Sequence, residues 1–270
     1  MTGSDVVVAV GQLPAEAQVL DVRWGLTDPP GAGRAAYLAG HLPGARFLDL
    51  EAVLTGRRLD PAAGRHPLPS PSRLADGLGR LGLDPGRPIV VYDQPGSFAA
   101  GRAWWVLRWA GLDVTVLDGG WPAWLSAGQP VETGQVVATA TDISVTIGQM
   151  PTIEADAIAG WAGSLVDVRA GERFCGEIEP IDPRAGHIPG AVNRPVSRLW
   201  TADGFLPGEA ELEMYFAGLR SPLAVYCGSG VSAAQAVLAA TAIGLEATLY
   251  AGSWSGWSSD PAHPIALGKH

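Results

Sequence analysis

Val19-Leu20-Asp21-Val22-Arg23 returns as Leu165-Val166-Asp167-Val168-Arg169, and Gly40-His41-Leu42-Pro43-Gly44-Ala45 returns as Gly186-His187-Ile188-Pro189-Gly190-Ala191. Both pairs are offset by 146 residues (19 to 165, 40 to 186). Ile89-Val90-Val91-Tyr92 is answered by Leu223-Ala224-Val225-Tyr226, and Gly120-Trp121-Pro122-Ala123-Trp124 by Gly252-Ser253-Trp254-Ser255-Gly256-Trp257 with one insertion. Order and approximate spacing persist throughout, which identifies a duplicated domain. The apolar runs 89–92, 114–117, 165–168 and 223–226 have the length and branching of buried strands, and stretches 97–110, 209–219 and 232–243 read as helices, the last stopped by Gly244. Strands alternating with helices predict an α/β fold in each half, a mostly parallel sheet with helices on both faces.

The repeats divide the chain into domains of 1–128 and 151–270, joined by a linker over 129–150 that matches nothing in either copy. The Pro- and Gly-rich stretch from Asp60 to Ser72 interrupts the first copy and reads as a surface loop. With 18 Lys and Arg against 27 Asp and Glu, the net charge is −9, and no basic run exists. That balance argues against nucleic acid or an anionic membrane as partner. No apolar run reaches the ~18 residues of a membrane span, and the N-terminus lacks a signal-like pattern, so a cytoplasmic location is expected. Two cysteines, Cys175 and Cys227, read as free thiols, and no metal-ligand spacing is present.

Open parallel sheets bind ligands beyond the carboxyl ends of their strands. In the second copy that position is Cys227-Gly228-Ser229-Gly230-Val231-Ser232, followed by a helix. Its glycines permit a tight loop whose amides, with the positive end of the helix, stabilise a thiolate. Cys227 is therefore the candidate nucleophile. The first copy has Tyr92-Asp93-Gln94-Pro95-Gly96 in the same place, with Asp93 instead of a thiol, and is expected to be catalytically inactive.

The duplicated domain, both Gly-His-x-Pro-Gly-Ala segments, the Gly-Ser-Trp-Ser-Gly-Trp segment and the Cys227 loop resemble the rhodanese superfamily, specifically its two-domain sulfurtransferases. The Cys-Gly-Ser-Gly-Val-Ser loop is similar to the Cys-Gly-Ser-Gly-Val-Thr pattern of 3-mercaptopyruvate sulfurtransferases, whereas thiosulfate-preferring relatives usually carry basic residues where Gly228 and Ser229 stand. The resemblance implies tandem rhodanese-like domains and a persulfide on Cys227, passed from a small-molecule donor to a thiol or cyanide acceptor without a cofactor. A protein thiol is another acceptor it allows. It further implies that Gly228, Gly230, Val231 and Ser232 line the substrate. Arg173, in Arg173-Phe174-Cys175-Gly176, matches the motif that relatives use for substrate binding, and Arg184 is the one local candidate for a second arginine. Ser229 with His41 and an aspartate, for which Asp28 is the candidate, would form a proton relay. Because His187 repeats His41, a hydrogen bond holding a turn explains both histidines equally well.

Thiosulfate transfer and persulfide relay to a protein partner are the alternative activities. A cysteine phosphatase would require a His before the cysteine and an Arg closing the loop, where this chain has Tyr226 and Ala233. Cys175 is a candidate redox partner for Cys227. The tryptophans are expected in packing, and the Asp-x-Arg repeats as strand-end ion pairs.

Overall fold

The computed structural model describes residues 6–269. The first half carries strands β1 (Val7–Val8), β2 (Gln18–Asp21), β3 (Arg46–Phe47), β4 (Ile89–Tyr92) and β5 (Val114–Leu117). Its helices are α1 (Ala32–Ala39), α2 (Leu50–Val53), α3 (Pro71–Arg80), α4 (Ala99–Trp109) and α5 (Gly120–Ser126). The second half carries helices α6 (Ala155–Ile158), α7 (Gly171–Cys175), α8 (Glu209–Phe216), α9 (Val231–Ala242) and α10 (Ser253–Trp257). Its strands are β6 (Leu165–Asp167), β7 (Val192–Asn193), β8 (Leu223–Tyr226) and β9 (Ala247–Leu249). The sheets run β1-β5-β4-β2-β3 and β7-β6-β8-β9, with every named pairing parallel. β4 and β8 are central and buried along their whole length, which explains their unbroken apolar runs. No helix among the described residues is long and apolar enough to cross a membrane.

The repeated motifs build the same scaffold twice. Arg23 grips Asp21, with Nη2 2.6 Å from Oδ2, and donates to the Gly40 carbonyl at 2.7 Å. Arg169 does the same with Asp167 at 2.6 Å and the Gly186 carbonyl at 2.7 Å. His41 Nδ1 lies 2.8 Å from the Tyr37 carbonyl, and His187 Nδ1 lies 2.8 Å from that of Phe174. Each of these rings stacks on the aromatic residue whose carbonyl it meets.

The two halves share a core. Helices α4 and α9 follow the central strands of their sheets, are buried almost throughout and pack against each other. Gly101 makes the close approach possible: a Cβ there would sit 1.9 Å from Gln235 Oε1 and 2.8 Å from Gln235 Cα. Trp104 and Trp105 are fully buried in the same cluster as Val225, Val237 and Leu238 of the second half. Residues 129–150 hold no strand or helix and lie along the first half, through backbone bonds from Thr141 to Gly79, Thr146 to Ala110 and Gln149 to Trp109.

Candidate active site

Cys227 stands one residue beyond β8, and α9 begins four residues after it. Gly230, at φ +81° in the left-handed region that suits glycine, turns the chain so that its N–H donates to Cys227 Sγ at 3.1 Å. The sulfur thus sits at the N-terminus of a twelve-residue helix, where anions are favoured. The loop is fixed from below by α10: Ser253 Oγ accepts from the Cys227 amide at 3.2 Å, the Trp254 amide donates to the Cys227 carbonyl and the Ser255 amide to that of Gly228. Ser253 holds φ +53° to do so, a conformation costly for a non-glycine residue and tied here to the position of Cys227.

In the first half the Trp121 amide donates to the Asp93 carbonyl at 2.9 Å, as the Trp254 amide does to that of Cys227. The Ala100 amide donates to Asp93 Oδ2 at 2.8 Å. A carboxylate occupies the place of the thiol, in a loop two residues longer: α4 begins six residues after Asp93, whereas α9 begins four after Cys227. Beside it lies a cavity of about 60 Å³, against about 470 Å³ beside Cys227.

The larger cavity draws walls from both halves. Trp24, Asp28, Arg65 and Phe98 come from the first, and Arg173, Cys227, Gly228, Ser229, Val231 and Ser232 from the second. Arg65 belongs to the segment read from sequence as a surface loop, and that reading needs correction. Residues 60–66 are pinned on α10 and its N-cap: the Arg65 amide donates to Ser255 Oγ at 3.0 Å, and a Cβ on Gly256 would lie 2.3 Å from the Ala62 carbonyl. The glycines and serine of Gly252-Ser253-Trp254-Ser255-Gly256-Trp257 thus make the seat on which one half inserts a loop into the other.

That loop brings His66, which the sequence reading missed. His66 is 2% exposed, with Nδ1 2.7 Å from Ser229 Oγ and Nε2 2.9 Å from Glu51 Oε1. A carboxylate facing Nε2 fixes the proton there, leaving Nδ1 to accept from the Ser229 hydroxyl. Burial, the largest influence, holds the imidazole below its ordinary range, while Glu51 pulls the other way; the His66 bond in turn holds Glu51 below the usual carboxylate range.

The expected grouping of Ser229 with His41 and Asp28 is not formed; Ser229 instead meets His66, which meets Glu51. His41 is fully buried on the scaffold it shares with His187. Asp28 lies exposed at the cavity mouth, its carboxyl group against Gly25. Arg184 is also elsewhere: it donates to the carbonyls of Asp260 and His263 at 2.6 and 2.7 Å and clamps the C-terminal segment. Cys175, 7% exposed, packs in a core cluster with Phe174 and Ile188 and does not line the cavity.

Arg173 does reach the site. Its Nε and Nη2 donate to Glu179 at 3.2 and 2.7 Å, its Nη2 also to Asp182 at 3.0 Å, and its Nη1 lies 3.3 Å from where a Cβ on Gly228 would be. Arg65 Nη2 is 2.9 Å from the same point, and Arg65 pairs with Asp182. Two guanidinium groups, one from each half, stand beside Gly228. A thiol on a helix start, flanked by cations and a serine–histidine–carboxylate chain, defines a class: a cysteine-dependent group-transfer enzyme assembled between two copies of one α/β domain.

Comparison with known proteins narrows the class. The family model for the rhodanese-like domain matches residues 10–127 and 153–260. "Putative thiosulfate sulfurtransferase SseB" of Mycobacterium tuberculosis is 45% identical, over 93% of this chain and 90% of that one. "Probable 3-mercaptopyruvate sulfurtransferase" of Pseudomonas aeruginosa is 42% identical, over 93% and 92%. Among solved structures, 3-mercaptopyruvate sulfurtransferase from Leishmania major superposes with a TM-score of 0.85 at 28% identity, covering 97% of this chain and 76% of that one. The chain belongs to the rhodanese family and is a two-domain sulfurtransferase. Sulfurtransferases act on small-molecule sulfur donors and acceptors.

Proposed function

We propose that the chain takes sulfur from 3-mercaptopyruvate onto Cys227 and delivers it to a small thiol or to cyanide. The observation that carries this reading is the chain Ser229–His66–Glu51 ending beside the nucleophile. The Cys227 thiolate attacks the donor sulfur, the sulfur–carbon bond breaks, and its electron pair leaves on the enolate of pyruvate. The donor's thiol proton must then reach the enolate carbon, giving pyruvate and an anionic persulfide with no net proton change. A hydroxyl linked to a neutral imidazole accepts and returns that proton. Thiosulfate, whose leaving group is sulfite, needs no such transfer. The donor carboxylate is met by Arg173 and Arg65, planar cations suited to carboxylate geometry. In the second half-reaction the acceptor attacks the outer persulfide sulfur and Cys227 leaves as a thiolate, its charge supported by the Gly230 amide.

Thiosulfate is the second reading. Arg65 and Arg173 place positive charge beside Gly228, where a dianionic donor would profit from it. Parallel assays of pyruvate release from 3-mercaptopyruvate and thiocyanate formation from thiosulfate with cyanide separate the two. A higher kcat/KM for 3-mercaptopyruvate is expected, and a higher value for thiosulfate overturns the donor assignment. Intact-mass spectrometry after donor treatment should show one added sulfur, lost in Cys227→Ser; sulfur found on Cys175 alone would refute Cys227 as carrier.

A further inference from the structure

Arg102, on α4 of the half without a thiol, is fully buried, and no carboxylate forms an ion pair with it among the described residues. Its guanidinium meets only backbone carbonyls: that of His66 at 2.9 Å, of Gly230 and Leu54 at 3.4 Å and of Pro67 at 3.5 Å. Nε has no partner. An unpaired buried cation costs several kcal/mol relative to an apolar side chain of similar volume. A fold that keeps one has an anion for it to face.

The geometry shows which. Nη1 lies 3.3 Å from the position a Cβ on Gly230 would take, so the guanidinium stands directly behind the residue whose N–H donates to Cys227 Sγ. Burial drags Arg102 down to about 10, and the two groups that pull it back up are Cys227 and Glu51. We propose that Arg102 is the buried counter-charge of the Cys227 thiolate and of the anionic persulfide that follows it. It never touches the transferred sulfur; it is a positioning residue that acts through the loop. By gripping the carbonyls of both His66 and Gly230 it also ties the relay histidine to the nucleophile loop, so the thiol-free half contributes charge to the chemistry.

Other groups facing Cys227 are Arg65 and Arg173 at the mouth, and Ser229 with His66 and Glu51 on one flank. Arg65 and Arg173 are compensated by Asp182 and Glu179. Arg102 is not compensated, so its removal is expected to dominate. The test is the pH dependence of Cys227 alkylation by iodoacetamide in a Cys175→Ser background, with Arg102→Lys, Arg102→Gln and Arg102→Met compared. Lysine keeps the charge, glutamine keeps a donor for the His66 carbonyl without charge, and methionine keeps neither. Lysine should remain within about 0.3 pH unit of the parent, whereas glutamine and methionine should move the alkylation midpoint upward by one unit or more and slow persulfide formation at pH 7 about 10-fold. Should methionine fail to fold, glutamine carries the comparison. A folded glutamine variant with an unchanged midpoint overturns the proposal. The inference rests on Cys227 being the nucleophile and not on the donor: alkylation reads the thiol directly, so a failed donor assignment leaves this result standing.

Discussion

The imidazole of His66, from the first half of the chain, lies 2.7 Å from the hydroxyl of Ser229, from the second. The contact exists only when the halves are docked. Ser229→Ala and His66→Asn are each expected to lower kcat with 3-mercaptopyruvate by about 100-fold or more, and to affect thiosulfate turnover much less. Equal losses with both donors would show that the pair supports the loop and carries no proton.

The pH profile follows from the same contact. Nδ1 must be unprotonated to accept from Ser229, and burial keeps His66 below its ordinary range, so kcat/KM for 3-mercaptopyruvate should fall only on the acid side of that range. Glu51→Gln removes the group that raises the imidazole. Its acid limb should therefore shift to lower pH, with a smaller rate loss than Ser229→Ala. A shift to higher pH contradicts the assignment.

Arg173→Lys keeps the charge and loses the fork, so a fall in kcat/KM of about 10-fold, worth about 1.4 kcal/mol, is expected. Arg65→Lys should act similarly, because both guanidinium groups stand beside Gly228. Arg173→Ala also strips the buried Glu179 of its main partner and Asp182 of one of its two, and should lower Tm as well as activity. Wild-type kinetics in both lysine variants would place the donor carboxylate elsewhere.

Asp93 is the next test, and its sign is opposite to that of a salt-bridged carboxylate. Burial raises it to about 6 from 3.8, so its favourable contribution is complete below pH ~4 and is lost as pH rises through about 6. Asp93→Asn should stabilise the protein at pH 7 by about 1–3 kcal/mol, the lower figure reflecting the part of Asp93 open to its small cavity. Urea denaturation at pH 4 and 7 checks this: the gain should vanish at the lower pH. Sulfur transfer should stay within a few-fold of wild type.

Gly101→Ala drives a methyl into Gln235 at the seam between α4 and α9. A destabilisation of about 1–3 kcal/mol is expected from overpacking. Activity should fall along with it, since the same seam sets the His66–Ser229 distance.

The sequence showed what was written twice. Strands 89–92, 114–117 and 223–226 and the Cys227 loop stand where the apolar runs and glycines placed them. Duplication also explains the principal miss. His41 has a counterpart in His187, and both hold the same turn, whereas His66 has no counterpart and lies in a Pro- and Gly-rich stretch that looked like solvent-facing loop. A residue repeated in the thiol-free half serves the scaffold that both halves share, so a partner for Ser229 was to be sought among the histidines without a copy. Glu51 and Arg65 were illegible for another reason. Their roles depend on how the first half docks onto α10, which no local pattern encodes.

Cys227 is 2% exposed and lies against a cavity of about 470 Å³ walled by both halves of the chain. Neither copy of the domain walls that space alone. The copy that lacks the thiol still decides, through Trp24, Arg65 and Phe98, part of what the other copy can admit.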